Sequence, residues 1–221
     1  MRITALALAA IAGVASTSNA SVTFDFTITA DNHYAIYSPT GVGTNVSFVG
    51  ENEATFDGNP GLYNWSLPEQ WSAVSPNGVM YIAGWSDDFL FQGVLAQVFA
   101  NGSPIHTGDA RWEVTPTNLD LDDLDSSPSV GQMATLIASA NTNSTWEPTF
   151  VGGNNGVAPW GFIPGITQEA KWVWWARPGS SDPLTGDTNA GEFLIFRLTI
   201  PTPASAALVA LGGLVMARRR R

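Results

Sequence analysis

Nine tryptophans, Trp65, Trp71, Trp85, Trp112, Trp146, Trp160, Trp172, Trp174 and Trp175, are the side chains of this sequence best suited to hold a ligand. An exposed indole offers its electron-rich face to the C–H face of a hexose, whereas a buried one fills a core. In KWVWWAR, Lys171 to Arg177, strand alternation puts Trp172 and Trp174 on one face and Val173 and Trp175 on the other, so one pair can be exposed. Trp146 and Trp160 fall in a loop-rich stretch and are the two expected to face solvent as a carbohydrate-binding pair. A second chemistry is offered by Asp120, Asp122, Asp123 and Asp125, whose carboxylates are the hard oxygen donors that calcium takes. Their spacing departs from the helix–loop–helix calcium pattern, because Leu124 stands at the fifth position and no Gly follows at the sixth. A solvated acidic loop ahead of a helix, placed to suit the helix dipole, is the competing reading. Calcium is the one cofactor these residues suggest.

Catalytic signals are sparse. GWSDD, Gly84 to Asp88, holds a serine but lacks the second Gly of a nucleophile elbow. Glu51 and Glu53 can share a strand face like the paired carboxylates of glycoside hydrolysis, yet neighbouring surface acids are common. His33 and His106 are the only imidazoles and have no metal-binding spacing. Asp31 with Asn32, and Asp87 with Asp88, read as turn residues whose side chains satisfy nearby backbone groups. A non-catalytic protein is expected, with a glycan-acting enzyme as the third reading after a binding module.

The elements that would position these groups are mostly strands. Val22, Phe24, Phe26 and Ile28 alternate with Thr23, Asp25, Thr27 and Thr29, the pattern of a half-buried strand. Further strands are expected at Tyr34 to Tyr37, Val46 to Val49, Val79 to Trp85, Gly93 to Ala100, Trp112 to Thr115, Lys171 to Arg177 and Glu192 to Ile200. Turn formers separate them at Pro39 to Gly43, Asp57 to Gly61, Pro76 to Gly78, Asn101 to Pro104 and Pro178 to Gly186. One helix interrupts the series. Ser129 and Gln132 form a capping box, and Val130, Met133, Ile137 and Ala140 recur at helical spacing. The expected fold is all-β, a jelly-roll-like β-sandwich over residues 21–200, with the helix covering an open end or face.

Composition sets bounds on partners. Hydrophobic residues at 44%, with 22 Gly and 14 Pro, describe a folded, turn-rich chain rather than a disordered one. The formal charge is -10, and residues 21–200 are more acidic still, carrying all 19 acids against only Arg111, Lys171, Arg177 and Arg197. Such a surface repels phosphate backbones, so no nucleic-acid partner is expected. Without Cys, the chain has no disulfide and no thiolate metal site.

Residues 1–20 have one Arg, an apolar run from Ile3 to Val14 and a small polar ending at Ser18, Asn19 and Ala20, the layout of a signal peptide with Ser21 as first mature residue. Residues 201–221 begin Pro201, Thr202, Pro203, continue through the apolar run Ala204 to Ala217 and end in Arg218, Arg219, Arg220 and Arg221. As a helix that run covers about 21 Å, short of a hydrocarbon core of about 30 Å, so it makes a marginal anchor. The terminal arginines resist translocation and are expected to stay cytoplasmic while the rest lies outside.

The segment IPTPASAALVALGGLVMARRRR resembles the PEP-CTERM sorting signal, although Pro201-Thr202-Pro203 stands where the commonest pattern has Pro-Glu-Pro. The resemblance implies an exosortase-type processing enzyme as partner, transient membrane attachment through the C-terminal helix, and release of the body to the cell envelope or an exopolysaccharide matrix. A looser resemblance links FTITADNHYAIYSPTG to the opening of galactose-binding-like jelly-roll domains of exported proteins, with Ser38-Pro39-Thr40-Gly41 in place of the usual Asn-Gly. Many domains of that shape bind nothing small and serve as structural modules.

Overall fold

A computed structural model describes residues 21–41, 43–52, 65–87, 89–122, 125–186 and 192–201. The expected signal peptide and the apolar run with its four arginines lie outside these residues. Among the described residues no helix is long and apolar enough to cross a membrane.

The strands are β1 (Val22–Asp31), β2 (His33–Pro39), β3 (Val46–Glu51), β4 (Glu69–Ser75), β5 (Val79–Trp85), β6 (Gly93–Ala100), β7 (Ser103–His106), β8 (Trp112–Pro116), β9 (Glu147–Pro148), β10 (Phe150–Asn154), β11 (Lys171–Trp174) and β12 (Leu194–Thr199). They form two antiparallel sheets. The first runs β10-β11-β6-β1-β4, with β7 sharing the β11 edge of β6; the second runs β3-β2-β5-β12-β8-β9. The described residues therefore form an all-β sandwich carrying one helix.

The core between the sheets follows the alternation in β1. Val22, Phe24, Phe26 and Ile28 are buried, while Thr23 and Asp25 face out. Tyr34, Ile36, Met80, Ile82, Leu194, Phe196 and Leu198 meet them from the second sheet. β2 does not alternate, being buried along its whole length. Its outward residues Ala35 and Tyr37 lie under α1 (Val130–Asn143), whose Met133 and Ile137 pack on them together with Tyr81, Trp85 and Ile195. Each such aliphatic burial contributes about 1.5–3 kcal/mol. The cap expected at Ser129 is present, its hydroxyl accepting from the Gln132 backbone N–H at 3.2 Å. Val130, expected on the apolar face, is exposed, and the buried stripe of the helix is Met133, Ile137 and Ala140. At the other end of the helix, Arg197 pairs with Glu113 at 2.6 Å and lies 4.2 Å over the Trp146 ring, while the indole N–H of Trp146 donates to Asn141 at 2.8 Å.

Four of the described strands, β4, β7, β9 and β10, escape the sequence reading. β7 follows a hairpin turn at Asn101 and Gly102, whose φ angles of 48° and 79° suit the right-handed twist of paired strands. β4, β9 and β10 lie at sheet edges; β4 alternates between half-buried and exposed residues, but its half-buried face includes Glu69 and its exposed face Val74, so no hydrophobic alternation marks it in the sequence. The long strand expected from Lys171 to Arg177 ends at Trp174, and all three of its tryptophans are buried, so neither face offers an exposed pair.

The register sorts the loops between two poles. β1 begins opposite Ser75, and Ile200 donates its N–H to Gly78 at 2.8 Å, so Ser21 and Pro201 leave the sandwich at one pole. Asp109 and Arg111 belong to that pole, with Arg111 Nη2 at 2.7 Å from Asp109 Oδ2. The hydrogen bond from Arg111 lowers the Asp109 pKa to about 2. Because the folded value is the lower one, this pair stabilises the fold above the ordinary carboxylate range, and the contribution disappears as pH falls through about 2. Carboxyl carbon NMR should show Asp109 titrating near 2, and Arg111→Gln should return it toward the ordinary range.

Candidate functional site

The opposite pole gathers the ends of β1 and β5 with the starts of β2 and β6. A cleft of about 240 Å³ opens there, lined by Asp31, Asn32, Asp87, Phe89, Leu90 and Phe91. Its floor is held by a buried amide: Asn32 Oδ1 accepts from the Ser86 hydroxyl at 3.2 Å and from the Asp87 backbone N–H at 3.1 Å. Asp87 in turn accepts the Phe89 N–H at 3.0 Å, which closes a local turn and fixes the carboxylate. Asp31 is held from behind, its Oδ2 accepting the indole N–H of Trp160 at 2.6 Å. Trp160 stacks on Trp172 at 4.1 Å and meets Phe91 edge-on at 6.2 Å.

The rim is unusual for a loop. Phe89, Leu90 and Phe91 are 71%, 53% and 39% exposed, three consecutive large apolar side chains in contact with water. Runs of this kind are not tolerated on a soluble surface without a use. The lining therefore pairs two carboxylates with two phenyl rings and a leucine, and among the described residues no Lys, Arg or His belongs to it.

The turn roles expected of Asp31, Asn32 and Asp87 hold in part, since Asp87 does cap its own turn; Asn32, however, reaches across to another loop. Asp88 lies outside the described residues. Trp146 and Trp160 are not brought together: the first sits half-buried beside α1 on the second sheet, the second against the first sheet. Trp160 is 7% exposed rather than open to solvent, because its ring is sandwiched into the Trp172 stack. Asp120, Asp122 and Asp125 are exposed, and Asp125 accepts the Asp122 N–H at 2.8 Å, so its carboxylate organises its own loop; Asp123 lies outside the described residues. Among the described residues, no group of three acidic, His or Cys side chains is placed to hold a metal. Ser86 is buried with its hydroxyl given to Asn32, and His33 is buried against the Trp85 ring at 5.0 Å. Of the sorting residues, only Pro201 is described; Thr202, Pro203 and Arg218 to Arg221 lie outside.

Sequence reasoning missed Phe89 to Phe91 as surface residues. The available signal was an apolar triplet directly after Asp87-Asp88 that breaks strand alternation. No protein-family model matches the chain, and neither does any curated protein or solved structure.

Proposed function

We propose that this is an exported, non-catalytic protein of the cell envelope or extracellular matrix, sorted through residues 201–221 and built on a jelly-roll-like version of the two-sheet sandwich. The observation that carries the reading is the shared exit of Ser21 and Pro201. A leader and a membrane-held tail attached at one pole leave the cleft-bearing pole facing away from the bilayer. The excess of acids suits a soluble life outside the cell and disfavours nucleic acid. Structural use of side chains supports a non-catalytic role, since Ser86 and the carboxylates of Glu69, Glu113, Glu147 and Asp31 each engage a neighbouring group of the fold.

Intact mass of the protein recovered from the cell exterior tests the reading. The expected species begins at Ser21 and lacks the arginine tail. Replacing Arg218 to Arg221 by Ser should misroute the protein or release it early, because the cytoplasmic stop is gone. A full-length cytosolic species with the native tail, or unchanged sorting in the variant, would sink the proposal.

A further inference from the structure

We infer that the far-pole cleft is a docking site for an arginine-bearing segment of a partner polypeptide. The recognised chemistry is a guanidinium held between the carboxylates of Asp31 and Asp87 and stacked on the rings of Phe89 and Phe91. The inference stands apart from the sorting proposal, because it concerns the purified chain and requires no export.

Three observations converge on this ligand. The cleft places two carboxylates beside an apolar rim, and no cation lines it among the described residues. A planar guanidinium satisfies both halves of that lining, since its N–H groups bond carboxylates while its face stacks on an aromatic ring. Second, the carboxylates are preorganised. Asn32 fixes the Asp87 backbone, Phe89 N–H fixes the Asp87 side chain and Trp160 fixes Asp31, so little side-chain freedom remains to be lost on binding. Third, residues 21–200 hold 19 acids against Arg111, Lys171, Arg177 and Arg197, which gives a field that draws basic ligands in.

The alternatives fit less well. A calcium ion would need several more oxygens, yet Asn32 Oδ1 is already committed to two donors and the remaining walls are hydrocarbon. Anionic lipid is repelled by the carboxylates directly behind the apolar tip. A second copy of this chain would set like charges against each other across the contact. The size of the rim argues for a polypeptide rather than a free amine. A cavity of about 240 Å³ accepts one side-chain head group, while Phe89 and Leu90 project beyond it as contact area for flanking residues.

Fluorescence anisotropy of a fluorescein-labelled Gly-Ser-Leu-Arg-Leu-Ser-Gly peptide, titrated with the purified full-length protein, tests the inference. Peptides with Gln or Lys in place of Arg run in parallel, with free arginine amide as competitor. The Arg peptide should bind at least about tenfold more tightly than the Gln peptide, and binding should weaken at high salt. Asp87→Asn should lose roughly tenfold, the scale of one charge-assisted hydrogen bond. Phe89→Ser should lose roughly threefold, as expected for a solvent-exposed cation–π contact. Both positions are on the surface loop, so the variants should fold, and unchanged thermal unfolding verifies it. Asp25→Asn makes the same charge change on the outer face of β1 and should have no effect. Equal binding of Arg and Gln peptides overturns the site. An Asp25→Asn loss as large as that of Asp87→Asn overturns it in favour of diffuse electrostatics, and free arginine amide competing as well as the peptide overturns the polypeptide occupant.

Discussion

Asn155→Ala should be the most damaging single side-chain truncation outside the hydrophobic core. Asn155 is 3% exposed and sits where the chain leaves β10 for the long excursion that returns at β11. Its Nδ2 donates to the carbonyls of Ile163 at 3.0 Å and Ile166 at 2.8 Å, and its Oδ1 accepts the Ile163 N–H at 2.7 Å. One amide thus takes the place of the secondary structure that this segment lacks, and it folds Trp160, Ile163, Ile166 and Ala170 down into the core cluster. Truncation leaves three backbone groups without partners in a buried setting, each costing about 1–3 kcal/mol. Some water will enter, so a net loss of about 3–5 kcal/mol is expected, a large fraction of the roughly 5–15 kcal/mol typical of a domain. Urea denaturation measures the loss. Hydrogen exchange should accelerate first at the Ile163 amide, and the near-ultraviolet signal of the Trp160–Trp172 stack should weaken with it. Asn154→Ala is the control, since that side chain makes one exposed bond to the Gln168 carbonyl at 3.1 Å and its loss should cost under about 1 kcal/mol. Equal effects at the two positions would show that Asn155 does not organise the loop.

Gly50→Ala should be nearly as costly, for the opposite reason. A Cβ at Gly50 would stand 2.3 Å from Cε3 and 2.4 Å from Cζ3 of Trp71, whose indole lies flat on the glycine. The ring cannot retreat without cost, because its Nε1 donates to the Tyr34 hydroxyl at 2.8 Å and that hydroxyl donates to Glu69 at 2.8 Å. This chain of bonds closes the gap between the β3 and β4 edges of the two sheets. Burial, then the Glu69 charge, pushes the Tyr34 pKa far above the ordinary phenol value, so the hydroxyl remains a donor throughout the working pH range. Overpacking of this kind costs about 1–3 kcal/mol and more where backbone must move, and about 3 kcal/mol is expected here. A double-mutant cycle isolates the cause: in a Trp71→Leu background the added methyl should cost under about 1 kcal/mol. Strict additivity of the two changes would refute the steric explanation.

How far the sequence was legible varies with how much each residue's fate was local. The alternation of β1 and the capped, periodic helix needed only neighbours along the chain, and both appear as read except at Thr29, which is buried, and Val130, which is exposed. β4 was invisible because its alternating burial is not matched by alternating hydrophobicity, with Glu69 on the half-buried face and Val74 on the exposed one. The tryptophans were the least legible. Trp160 reads as a loop residue open to solvent, yet its burial depends on Asp31, far away in the chain, and on a loop fold dictated by Asn155. Phe89 to Phe91 were passed over, since a break in strand alternation sets the triplet apart without saying whether it turns outward or inward.

Strand periodicity, turn residues, helix capping and the imbalance of acids over bases belong to the one-dimensional chain, because each rests on near neighbours or on summed charge. Which aromatic rings meet water, which carboxylates share a cleft and which pole carries Ser21 and Pro201 were decided only by tertiary packing. The reason is that a hydrogen bond such as that from Trp160 to Asp31 joins residues with no sequence relation, and its partner is chosen by the way the sheets stack.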